Sequence, residues 1–163
     1  MKIISRILNI DLPPGQSAFL WGPRKTGKST YLKTRFPNSL TYDFLQTDLF
    51  LDFSKRPALL REQILAKENR VLKHPIILDE VQKVPQILDE VHWLIENKGL
   101  QFILCGSSAR KVKRGRGNLL GGRAVRHELH PLVYPEIPDF SNCSSRLLRG
   151  KLPDYLLKNC FWL

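Results

Sequence analysis

Gly22-Pro23-Arg24-Lys25-Thr26-Gly27-Lys28-Ser29 follows the apolar run Ser17 to Trp21 and leads through Thr30 into a mixed segment that stops at Pro37. The octapeptide satisfies G-x-x-x-x-G-K-[ST] at every position. An apolar strand before it and a helix after it supply the context in which that pattern has a mechanism. Glycine lets the backbone approach a phosphate closely, successive N–H groups turn inward as an anion nest, and the following helix adds its positive end. Gly22 to Thr30 are therefore the expected nucleotide-binding residues. Lys28 would reach the β- and γ-phosphates of a nucleoside triphosphate such as ATP, and the Ser29 hydroxyl would ligate Mg²⁺. The competing reading, a glycine turn capped by Ser29, leaves Lys28 without a purpose.

The rest of the chain alternates strand and helix. Ser17 to Trp21 reads as a strand, Lys28 to Phe36 as a helix, Ser39 to Phe44 as a second strand, and Leu45 to Lys67 as two short helices broken near Pro57. Pro75 to Leu78 is a short apolar run closed by Asp79-Glu80, the pattern of a buried parallel strand with acids at its carboxyl tip. Within Val84 to Asn97, apolar Ile87, Leu88, Val91, Leu94 and Ile95 share one helical face, and Gly99 stops the helix. Gln101 to Leu104 and Ala124 to His130 complete the strands. The expected fold class is α/β, with three α/β/α layers about a mostly parallel sheet. Ligands of such sheets lie at the carboxyl ends of the strands, where all three polar clusters fall.

The second cluster is Asp79-Glu80. A Walker B strand needs a carboxylate at its tip for Mg²⁺ or its waters, and Asp79 is placed for that. Glu80, one position on, is the candidate to orient and deprotonate a water, which favours hydrolysis over phosphoryl transfer to another acceptor. Two solvated acids at a strand end are the plainer alternative. The third cluster is Gly106-Ser107-Ser108. Ser107 and Ser108 could contact the γ-phosphate or the water, or could cap a helix starting near Ala109. Arg110 and Arg123 are weaker candidates for an arginine that stabilises charge on the transferring phosphoryl group, from the same subunit or a neighbour.

The 163 residues suit one domain, and no run approaches the length of apolar residues that a membrane span needs. Residues 1–10 make a poor signal peptide, so a cytoplasmic location is the default expectation. Cys105, Cys143 and Cys160 have neither metal-ligand nor disulfide spacing, and Cys105 reads as a small core residue. The formal charge is +11, and it is uneven: residues 98–126 hold eight Lys or Arg and no acid, leaving +3 for the rest, 18 basic against 15 acidic. That stretch suits a polyanion, whether nucleic acid, a neighbouring subunit's acidic face in a homo-oligomer, or the nucleotide itself; a solvated basic loop is the equal alternative.

The chain also resembles a family of bacterial and archaeal AAA+ ATPases that carry a separate C-terminal domain of unknown function. The resemblance rests on Gly22-Pro23-Arg24; on Ile77 to Pro85 running into Ile87 to His92; on Phe102 to Lys111; on Asn118 to Ala124; and on Leu129 to Leu132. It implies a P-loop ATPase core over residues 1–138 with sheet order 5-1-4-3-2, Ser107 or Ser108 at the sensor-1 position, and a DNA-associated or defence-like role. Residues 139–163 then look like the start of a lid or second domain cut short, with the lid incomplete and any sensor-2 arginine lost. A non-hydrolysing nucleotide-binding remnant and a basic DNA-binding module regulated by nucleotide are the alternatives to an ATPase.

Overall fold

A computed structural model describes residues 4–107 and 119–136. Five strands form one parallel sheet: β1 (Ser17–Trp21), β2 (Thr41–Asp43), β3 (Ile76–Asp79), β4 (Phe102–Gly106) and β5 (Ala124–Glu128). Their spatial order is β2-β3-β4-β1-β5, the expected 5-1-4-3-2 read from the other edge. All four pairings are parallel, and β1 lies between β4 and β5.

The period-two alternation of the strands builds two cores. Phe19, Trp21, Ile76, Leu78, Phe102 and Leu104 face one side and pack with residues of α2 (Thr47–Lys55), α3 (Leu59–Leu65) and α4 (Ile87–Lys98). Ala18, Leu20, Ile77, Ile103 and Cys105 face the other, against Tyr31 and Leu32 of α1 (Lys28–Arg35) and Ile10 of the N-terminal segment. Helices thus cover both faces, as a parallel sheet requires. Full burial of one such aliphatic or aromatic side chain stabilises by about 1.5–3 kcal/mol.

The helices begin and end where local chemistry dictates. Pro57 lies in the gap between α2 and α3, and the Arg56 N–H closes α2 on the Asp52 carbonyl. All five apolar residues expected on the inner face of α4 are buried, and Gly99 ends it with φ 62°. This helix starts three residues later than the periodicity predicts, because Val81–Lys83 forms a separate 3₁₀ turn before Pro85. Two strands also run further than their apolar runs: Asp79 is the last residue of β3, and β4 continues through Cys105 to Gly106. The outer neighbour carries each extension: Asp79 is in register with Asp43 of β2, and Cys105 and Gly106 with Leu20 and Trp21 of β1.

Candidate functional site

Parallel pairing brings the carboxyl ends of β1, β3 and β4 to one edge of the sheet. Trp21 is in register with Gly106 and Leu78 with Leu104, so Gly22 and Ser107 leave the sheet side by side and Asp79 ends the next strand close to them. The three clusters, separated by tens of residues in the chain, are thereby joined.

The glycine loop is shaped by close approach and by backbone conformation. A Cβ on Gly22 would overlap the Leu129 carbonyl oxygen, which lies just past β5. Lys25 and Gly27 take left-handed conformations, at φ 65° and 86°. The Thr26 hydroxyl donates to the Pro23 carbonyl at 3.0 Å and closes the loop on itself. The first α-helical bond of α1 runs from the Tyr31 N–H to the Gly27 carbonyl, so the N–H groups of Lys28, Ser29 and Thr30 have no acceptor within the helix. No side chain caps this end and no acid occupies its first turn. Its partial positive charge is left for an anion.

Lys28 is 6% exposed, and its ammonium donates to the Gly22 and Pro23 carbonyls at 2.8 and 2.7 Å. The Ser29 hydroxyl donates to Asp79 Oδ2 at 2.5 Å, and Asp79 Oδ1 accepts the Glu80 N–H at 2.9 Å. Glu80 itself is left-handed, at φ 57°, where the chain turns abruptly out of β3. A cavity of about 370 Å³ opens over these groups, lined by Arg24, Lys25, Gly27, Lys28, Ser29, Thr30, Leu45 and Glu80. Gly22, Pro23 and Thr26 form the framework of the loop behind that lining. Cys105 lies beside Asp79 on β4; burial pushes its thiol well above the usual range, and the Asp79 charge adds to the shift.

Ser107 follows β4 directly, and its hydroxyl oxygen accepts from the Gln82 amide at 3.2 Å. Ser108 and Arg110 lie outside the described residues, as do five of the eight basic residues of 98–126, all within 108–118. Arg123 is described and is not brought to the cavity. It precedes β5 at the amino end of the sheet, where its carbonyl accepts the Ser17 N–H and its guanidinium pairs with Glu96. In a parallel sheet that is the end opposite the glycine loop, so within one chain Arg123 is remote from the other candidates.

A family model described as an AAA domain matches residues 15–138, more than half of the chain. The chain belongs to the AAA domain family. An uncharacterized protein of Methanocaldococcus jannaschii is 24% identical over 147 residues, covering 86% of this chain. The chain spans 32% of the length of that relative. Among solved structures, a Walker-type ATPase of Pyrococcus abyssi superposes with a TM-score of 0.50 at 14% identity, over 88% of this chain and 57% of its own. The Pif1 helicase of Candida albicans, at TM-score 0.37 and 17% identity over 86% and 42% of the two chains, is too distant to carry an argument. The P-loop NTPase fold and an AAA-type ATPase-like domain are thereby established. Among the described residues no helix is long and apolar enough to cross a membrane.

Several residues that shape the site have no signature in the sequence. Gln82 joins Glu80 to Ser107. Leu45, 59% exposed, borders the cavity after β2. Arg6 donates to the Thr26 carbonyl of the loop at 2.7 Å and pairs with the buried Glu136 at 3.0 Å. None lies in a motif with a phosphate-binding meaning, and their partners are from 2 to 130 positions away.

Proposed function

We propose that this domain binds ATP with Mg²⁺ and hydrolyses it to ADP and phosphate. The observation that carries the reading is the direct Ser29–Asp79 hydrogen bond at the mouth of the loop, with Glu80 in the cavity lining beside it. A hydroxyl and a carboxylate in contact, facing an uncapped helix end and an ammonium, form a hard oxygen donor set suited to Mg²⁺ carried on a triphosphate. Ser29 and Asp79 would hold that ion, which when bound neutralises charge on the phosphates.

The residues of the chain divide the remaining work. The N–H groups of the loop and of the first turn of α1 cradle the phosphates. Lys28 exchanges its two loop carbonyls for phosphate oxygens, an exchange that needs only reorientation of its flexible stem. Glu80 accepts a proton from water as the water oxygen bonds to the γ-phosphorus. The bond from that phosphorus to the bridging oxygen breaks, and its electron pair leaves with ADP. Left-handed backbone at Glu80 is rare for a non-glycine residue and is stored more often at functional sites than elsewhere.

The deciding experiment compares the wild-type chain with Glu80→Gln and Lys28→Ala. Glu80→Gln should bind ATP within about twofold of wild type while phosphate release falls ~100-fold or more, the scale of general-base catalysis. Lys28→Ala should lose binding. Phosphate release unchanged in Glu80→Gln would sink the hydrolytic role, and ATP binding without turnover in the wild type would leave a nucleotide-binding domain only.

A further inference from the structure

Gln82 stands two residues beyond Glu80, in the 3₁₀ turn Val81–Lys83. Its amide nitrogen contacts both a Glu80 carboxylate oxygen and, at 3.2 Å, the Ser107 hydroxyl oxygen. The chemistry fixes which way the amide faces, because a carboxylate oxygen only accepts and must meet the NH₂ end rather than the carbonyl end. The two N–H bonds of one nitrogen therefore span the gap between β3 and β4. Its carbonyl oxygen, by contrast, is buried and has no hydrogen-bond partner among the described residues. The donor end of the amide is thus used twice, once on each side of that gap.

Space has been made for this arrangement. A Cβ on Gly106 would overlap the Gln82 carbonyl oxygen and stand 2.8 Å from the Trp21 ring. Gly106 has no left-handed backbone to explain it, so what the position requires is the absence of a side chain.

We propose that Gln82 is a positioning residue that holds the Glu80 carboxylate and the Ser107 hydroxyl as one unit at the edge of the phosphate cavity. With one carboxylate oxygen held, the other is turned to receive the proton of the attacking water. With its oxygen accepting from Gln82, Ser107 must direct its own hydrogen elsewhere, as a donor toward a γ-phosphate. The inference rests on the hydrolytic reading of Glu80 for its consequence, though not for the bridge itself.

The test separates the two. In the full chain with ¹⁵N-labelled glutamine, the Gln82 side-chain amide signal is assigned by its loss in Gln82→Met, which keeps length and bulk. That signal should shift in both Glu80→Ala and Ser107→Ala. Insensitivity to both overturns the bridge, whatever the turnover. In steady-state hydrolysis, Gln82→Met should lower kcat about 10- to 100-fold, the scale of an ångström-sized misplacement, with KM and ATP affinity within twofold. Adding Ser107→Ala should then cost much less than it does in the wild type, since the two act through one contact. Unchanged kcat in Gln82→Met, or a loss confined to KM, overturns the positioning role. A shifted amide signal with no wild-type turnover supports the bridge and removes the hydrolytic reading alone.

Discussion

Arg6→Met tests the contact that ties the two ends of the described chain to the glycine loop. Arg6 and Glu136 are 130 positions apart, yet their side chains are only 10% and 3% exposed and approach to 3.0 Å. The Arg6 Nε faces the carboxylate, while Nη1 and Nη2 donate to the Thr26 and His130 carbonyls at 2.7 and 2.5 Å. Glu136 also accepts the Ile7 and Val133 N–H groups, at 2.8 and 3.1 Å. Methionine keeps the bulk of the stem and strands the carboxylate without its counter-charge. Breaking a buried pair in this way costs about 3 kcal/mol. At ~2–4 °C per kcal/mol for a chain of this size, Tm should fall by roughly 6–12 °C.

Equilibrium urea unfolding and calorimetry measure the loss directly. Adding Glu136→Gln to Arg6→Met removes the stranded charge and keeps an acceptor for the Ile7 N–H, so it should recover at least ~1 kcal/mol. Acid titration gives an independent reading. Burial alone would push the Glu136 carboxyl up, but the Ile7 and Val133 N–H groups and the Arg6 side chain together hold it below its usual 4.5. A carboxyl lowered by folding stabilises fully above its unfolded value and loses that contribution as pH falls through its folded one. Glu136→Gln should therefore unfold with a shallower dependence on pH below about 4.5 than the wild type. A loss under ~1 kcal/mol in Arg6→Met, with an unaltered acid profile in Glu136→Gln, would show that the pair does not hold this corner of the fold.

Two further outcomes follow from the packing about the site. Gly22→Ala places a methyl group on the Leu129 carbonyl, a backbone atom that cannot rotate away, and Leu129 is held by its N–H bond to the Trp21 carbonyl at 2.8 Å. A loss of about 1–3 kcal/mol in urea unfolding is expected, and an unchanged midpoint would show that the β1–β5 junction gives way freely. In a Cys143→Ser, Cys160→Ser background, Cys105 should react with iodoacetamide at pH 8 at least ~100-fold more slowly than in urea-unfolded chain, because burial and Asp79 disfavour its thiolate. Comparable rates in the two states would mean that β4 opens readily.

Short-range chemistry already contains the glycine loop, the faces of the strands and the inner stripe of α4. Each depends on residues within one or two turns of one another, and a period of two or of 3.6 survives whatever the segment packs against. The Pro57 break between α2 and α3 is local in the same sense. Periodicity says which side of a strand is buried and nothing about which strand lies beside it. The order β2-β3-β4-β1-β5 was foreseen only through likeness to a known family.

Long-range packing governs the rest. The apolar runs at residues 75–78 and 101–104 stop short of Asp79 and Gly106, but pairing with β2 and with β1 carries the two strands into the site. Arg123, one of the weaker candidates from the sequence, is carried to the amino end of the sheet because β5 runs parallel to β1. Gln82 acquires a task only when β4 brings Ser107 beside it, and Arg6 only when Glu136, 130 positions on, comes to pair with it. A motif records the groups that meet a phosphate; the groups that hold those in place are chosen by proximity in the folded chain, where spacing along the sequence carries no weight.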